Sequence, residues 1–136
     1  TILHAANISY SSPLDGMDIS NLLFNNHKNL DRVLFWHFPV YIQSKNWKGF
    51  NFENRDSLFR TRPGSVVRKG DWKLHYYFED KSVELFNLKT DISEKTNLID
   101  EFPEKADQLK SLLENWWKET KAPIPNKLNP EYILDN

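Results

Sequence analysis

Five cations fall within one irregular stretch of the sequence, Val40 to Pro63: Lys45, Lys48, Arg55, Arg60 and Arg62, among the rings of Trp47, Phe50, Phe52 and Phe59. A guanidinium meets sulfate or carboxylate through a planar fork, and aromatic faces stack on sugar rings, so the mixture suits an anionic carbohydrate. A solvated basic loop over a few buried rings has the same composition. Just upstream, His37 stands at the end of an apolar run beside Trp36 and before Pro39-Val40-Tyr41. Its imidazole is expected where a strand leaves its sheet for the irregular stretch, either facing a ligand or serving as a hydrogen-bonded packing residue. A stretch of that length without periodicity is more often functional than idle, and a covering or disordered loop is the other reading.

Elsewhere the chemistry is sparse. The four histidines, His4, His27, His37 and His75, lie far apart without HxxxH or HxH spacing, so no local metal site is expected. There is no cysteine, hence no disulfide, thiolate ligand or cysteine nucleophile, and the redox compartment stays undetermined. No GxGxxG, P-loop or GxSxG is present. The carboxylate pairs Glu79-Asp80 and Asp100-Glu101 read as turn and solvated-face charges. With 18 basic and 19 acidic residues the net charge is -1, which gives no field for nucleic acid or an anionic membrane. No apolar run approaches the ~20 residues of a membrane span, and no signal peptide is recognisable. The sequence opens on Thr1-Ile2-Leu3-His4-Ala5-Ala6, without Met or a preceding N-cap. It reads as the last turns of a helix begun upstream, as in a fragment.

The elements that must position these residues follow from periodicity. In the 136 residues, about one domain's length, Ser65 to Phe78 reads as two strands folded across Arg68-Lys69-Gly70-Asp71. Trp72, Leu74, Tyr76 and Phe78 share one face, and Lys73, His75 and Tyr77 the other. Arg32 to Phe38 is apolar on both faces and rich in strand formers, a buried strand ended by Pro39 and expected to sit centrally in the sheet. Val83 to Leu88 reads as a further strand, after a turn at Glu79 to Ser82. Asn7 to Gly16 is loop, Met17, Ile19, Leu22 and Leu23 suggest a short helical turn packing inward, and Lys89 to Glu101 is a polar connector. Pro103 to Thr120 is the clearest helix: Pro103 suits its first turn, and Ala106, Leu109, Leu112, Leu113, Trp116 and Trp117 make an apolar stripe that can cover the sheet. Pro123 and Pro125 end it. The expected fold is α+β, an antiparallel sheet of about four strands packed against this C-terminal amphipathic helix.

Taken in order, TILHAANI…PLDGMDISNLL, VLFWHFPVY, SVVRKGDWKLHYYFED, VELFNLKTDISEKTNL and PEKADQLKSLLENWW resemble five successive passages of one family. It is the C-terminal subdomain of the type I, formylglycine-dependent, arylsulfatase-like sulfatases of the alkaline-phosphatase superfamily. The resemblance implies that residues 1-30 are a helix end and linker from an N-terminal catalytic domain, and 31-136 the C-terminal subdomain, with sheet 31-88, helix 103-120 and tail 121-136. It also implies a sulfuric ester hydrolase acting on sulfated carbohydrate or glycosaminoglycan. The catalytic formylglycine, made from Cys or Ser in a C/S-x-P-x-R motif, and the Ca²⁺ are expected in the N-terminal domain. No such motif occurs here, so no catalytic or metal residue is carried over, and these residues alone are expected to be inactive. The expected substrate-binding residues are His37, Tyr41, Arg60 and Arg62. The expected partners are the sulfated carbohydrate and the protein's own catalytic domain, in the periplasm or outside the cell. Two alternatives stay open: a purely structural module without substrate contact, and a related phosphodiesterase or phosphonate hydrolase.

Overall fold

In the computed structural model, residues 1–24, 32–43, 59–127 and 129–130 are described, with only the backbone for 43, 59 and 60. The chain divides into two units, Thr1–Arg32 and Val33–Asn136.

The first unit holds two short helices, α1 (Ile2–Ala5) and α2 (Ser20–Phe24). Asp18 organises the start of α2. One carboxylate oxygen accepts the Ser20 backbone N–H at 2.9 Å and the Ser20 hydroxyl at 2.6 Å, while the other meets His4 Nδ1 at 2.5 Å. The Ser20 hydroxyl, with His4 second, holds this carboxyl well below the usual carboxylate range. The helical turn expected around Met17 to Leu23 is therefore present, but its inward packing is only partial, with Ile19 and Leu22 half-buried. Met17 and Leu23 are exposed, and Ser20 is the one buried residue of α2. A helix of five residues turns too few side chains to one side to bury all of that set.

In the second unit, strands β1 (Val33–Phe38), β4 (Gly64–Lys69), β5 (Trp72–Tyr77) and β6 (Val83–Asn87) form one antiparallel sheet in the order β1-β4-β5-β6. Two further strands, β2 (Ile42–Gln43) and β3 (Phe59–Thr61), pair as a separate ribbon. That ribbon lies within the stretch read as irregular. The α+β class, the four strands and their antiparallel arrangement are as expected, but β1, expected to be buried and central, stands at the end of the strand order with no buried residue.

The β4–β5 hairpin closes tightly, with Lys69 opposite Trp72 and Gly70 at φ +59°, a conformation that side chains with a Cβ disfavour. Gly64 is needed for a different reason. A Cβ there would stand 2.8 Å from the Tyr76 carbonyl oxygen, a backbone atom that cannot swing aside.

Alternation sends Val67, Leu74 and Leu85 to one side of the sheet, where they meet Ala106, Leu109 and Leu113 of α3 (Pro103–Thr120). Five of these six are 2% exposed or less, so they make a tightly closed seam between sheet and helix. Leu112, Trp116 and Trp117 extend it, Trp116 stacking on Phe35 with ring centres 5.0 Å apart. Each fully buried large apolar side chain contributes roughly 1.5–3 kcal/mol, so this seam dominates the unit's stability.

The connector 89–101 does more than link. Leu98 N–H donates to the Leu85 carbonyl at 2.8 Å, and the Asn97 side-chain oxygen accepts the Leu85 N–H at 3.0 Å, so polar groups on the outer edge of β6 are occupied. From the same connector Glu94 reaches the face of the sheet away from the helix. It binds Lys73 Nζ at 2.7 Å and His75 Nε2 at 2.8 Å beside the buried Phe86.

Candidate functional site

The candidate residues gather around the turn between β5 and β6, where Glu79 and Asp80 lie side by side. Tyr41, immediately before β2, donates its hydroxyl proton to Glu79 Oε1. Arg62, immediately after β3, donates from Nη1 to Asp80 Oδ2 at 2.7 Å, and its guanidinium carbon stands 4.6 Å over the Tyr77 ring. Side-chain exposures of 10% for Arg62 and 18% for Asp80 make this a largely desolvated pair, in which removing one partner strands the other. Asp80 is itself fixed: its other oxygen accepts the Ser82 N–H at 2.9 Å and the Ser82 hydroxyl at 2.6 Å. Glu79 Oε1 also accepts the Asn129 N–H at 2.6 Å. Glu79 and Asp80 are thus not the solvated charges their composition suggested.

Next to Arg62, on the face of the sheet away from α3, lies a hollow of about 290 Å³ walled by Trp36, Phe38, Val66, His75 and Tyr77. Trp36 is 50% and Phe38 43% exposed, so their rings are accessible. Accessible aromatic walls offer an apolar platform on which a polar ring can stack, beside an Arg62 guanidinium whose Nη1 is engaged by Asp80.

His37 makes its bonds elsewhere. Its ring lies on the helix side, edge-on to Phe78 and Trp116. The Pro123 carbonyl, 3.0 Å from Nε2, can only accept, so Nε2 carries the proton. Nδ1 then accepts the Ser65 hydroxyl proton at 2.7 Å, and the Ser65 oxygen accepts Trp117 Nε1–H at 3.0 Å. A continuous relay, Trp117 to Ser65 to His37 to Pro123, therefore joins β4, β1, α3 and the chain beyond the helix. Arg60 lies in β3, its side chain outside the described residues, and Lys45, Trp47, Lys48, Phe50, Phe52, Arg55 and His27 lie outside them altogether. Among the described residues no group of three His, Cys, Asp or Glu side chains is placed to hold a metal ion. No helix among them is long and apolar enough to cross a membrane.

Comparison with known proteins adds to this geometry. No family model matches the chain. A sulfatase of Formosa agariphila is 32% identical over 139 aligned residues, covering 90% of this chain and 22% of that protein. The chain belongs to the sulfatase family as a C-terminal part. Arylsulfatase K of Mus musculus is 33% identical over 106 residues, 76% of this chain and 17% of that protein. This sulfatase part thus spans about a fifth of the length of the curated relatives it matches. Two solved structures share its fold. One, solved in complex with its substrate D-glucosamine-2-N,6-O-disulfate, has a TM-score of 0.59 and 20% identity over 97% of this chain and 24% of its own. The other, a 2-O GAG sulfatase, has a TM-score of 0.63 and 21% identity over 96% of this chain and 26% of its own.

Sequence reasoning missed Glu79, Asp80 and Ser65 as organisers. Two signals for them were present. Ser65 shares the parity of Val67 on a strand whose buried side is apolar, and a polar residue at a core position implies a bonded partner. Asp80 stands two residues before Ser82, the spacing of an Asx turn.

Proposed function

We propose that this chain is part of a sulfuric ester hydrolase acting on sulfated carbohydrate, and that it supplies scaffold together with one wall of the substrate pocket. The observation that carries the reading is the 32% identity to a sulfatase over 90% of the chain. A neighbour solved with a sulfated glucosamine and another described as a 2-O GAG sulfatase support the substrate class. In this reading Arg62, held beside an aromatic hollow, together with Tyr41 and Arg60, faces the sulfated sugar, while His37 fixes the strand that leads to them. The hydrolytic step, with the formylglycine and Ca²⁺ implied by the resemblance, belongs to the rest of the protein, as does the surface against which this part packs. Secretion or export to the periplasm accords with a polymeric sulfated substrate.

The test is sulfate release by the full-length protein from sulfated and desulfated glycosaminoglycan oligosaccharides. Arg62→Lys, which keeps the charge and loses the planar fork, is expected to raise KM about tenfold with kcat little changed. Absence of sulfate release from every sulfated saccharide tried would overturn the reading. The inward bonds of His37, Tyr41 and Arg62 favour a second reading, a structural module without substrate contact. Under it, Arg62→Lys and a shortened 41–62 connection would both leave substrate preference intact.

A further inference from the structure

We propose that Glu79 and Asp80 are positioning residues: this adjacent carboxylate pair clamps the two feet of the β2–β3 ribbon and so sets how Tyr41 and Arg62 meet the substrate. The inference rests on the reading of Tyr41 and Arg62 as substrate-facing. Tyr41 and Arg62 flank the ribbon directly, outside the pair Ile42 and Thr61, and each foot ends on its own carboxylate. The ribbon has two residues on one strand, three on the other and a register shift between Ile42 and Gln43. A ribbon that small does not hold itself in place, because a lone two-stranded hairpin is marginal in water. Bonds at its two feet tie it to the β5–β6 turn.

The clamp is in turn built into the fold. The β5–β6 turn is shaped by the Asp80–Ser82 bonds and by Lys81 at φ +58°. Glu79 is tied to the far end of the chain through Asn129. The two oxygens of Asp80 have separate tasks, Oδ1 building the turn and Oδ2 holding Arg62. That separation permits a selective change. Asp80→Asn keeps an oxygen for Ser82 and turns an NH₂ toward the guanidinium, where two donors meet and the charge pairing is lost. At Glu79 a single oxygen serves both partners, so Glu79→Gln preserves an acceptor and Glu79→Ala removes it.

The experiment uses the full-length protein, with hydrogen exchange at backbone amides and steady-state kinetics on a sulfated glucosamine oligosaccharide. In Asp80→Asn and Glu79→Ala, exchange at the ribbon amides is expected to quicken while amides of β4 and β5 keep their protection. KM is expected to rise about tenfold with kcat within about twofold, and Glu79→Gln to restore wild-type values. Unchanged ribbon exchange overturns the proposal, and so does quickened exchange with unchanged KM. Exchange that spreads through β4 and β5 also overturns it, since the pair would then hold the sheet rather than the ribbon. A wild-type protein that releases no sulfate overturns the substrate reading on which the proposal rests, and that failure is read from the unmutated control.

Discussion

His75 sits between a cation and a carboxylate on the face of the sheet away from the helix, and burial decides its charge. Desolvation first, and the neighbouring Lys73 second, push its pKa below the ordinary histidine value of about 6.5, against the opposing pull of Glu94 and Glu84. The fold therefore favours neutral imidazole, while the unfolded chain takes up a proton as pH falls through about 6.5. Since the unfolded state binds more protons in that window, stability falls as pH drops below about 6.5 and levels off once the folded form also protonates. Urea midpoints measured from about pH 5 to about pH 8 should show this slope, and His75→Gln should flatten it. At this scale the sequence was legible for residue type and not for partners. Glu79 and Asp80 looked like surface charges because their partners stand 38 and 18 residues upstream, across a stretch whose path no local pattern reveals. His37 was recognisable as a residue with a role, but its two acceptor and donor contacts come from Ser65 and Pro123, 28 and 86 residues away.

Among the elements, α3 was readable to its ends, because eighteen residues give the 3.6 period room to repeat and Pro103 marks the first turn. The β4–β5 hairpin was readable for a similar reason, two six-residue alternations about a glycine turn. Strands β2 and β3 were not, since two or three residues are too few for a period of two to register. The end of α3 carries a misfit. Lys121 sits at φ +53°, the left-handed position that glycine usually fills after a helix, with its N–H and that of Ala122 closing the last turn. Relief of left-handed strain, less the entropy cost of glycine, should make Lys121→Gly more stable by about 0.5–1 kcal/mol, read as a raised urea midpoint with unchanged slope.

For the whole molecule, the order of five short passages was enough to indicate the sulfatase family, and the sheet and helix they specify were found. The substrate-facing residues were harder to place, because in a part spanning about a fifth of its relatives' length the pattern of apolar side chains reports mainly on one seam. The relay from Trp117 through Ser65 and His37 to Pro123 has a kinetic consequence. The hairpins β4–β5 and β5–β6 join chain neighbours, whereas the His37–Pro123 bond closes a separation of 86 residues, so its loop-closure entropy must be overcome before the bond contributes. The relay is therefore expected to form after the transition state, in the manner of a latch closed on an assembled sheet. His37→Ala should lower stability by about 1–3 kcal/mol through the polar groups left unpaired. In a chevron measured against urea, nearly all of that loss should fall on the unfolding limb, with the refolding rate unchanged. A matching loss on the refolding limb would instead place His37 in the nucleus. On the expected outcome the relay governs how fast the protein comes apart, and the hairpins how fast it assembles.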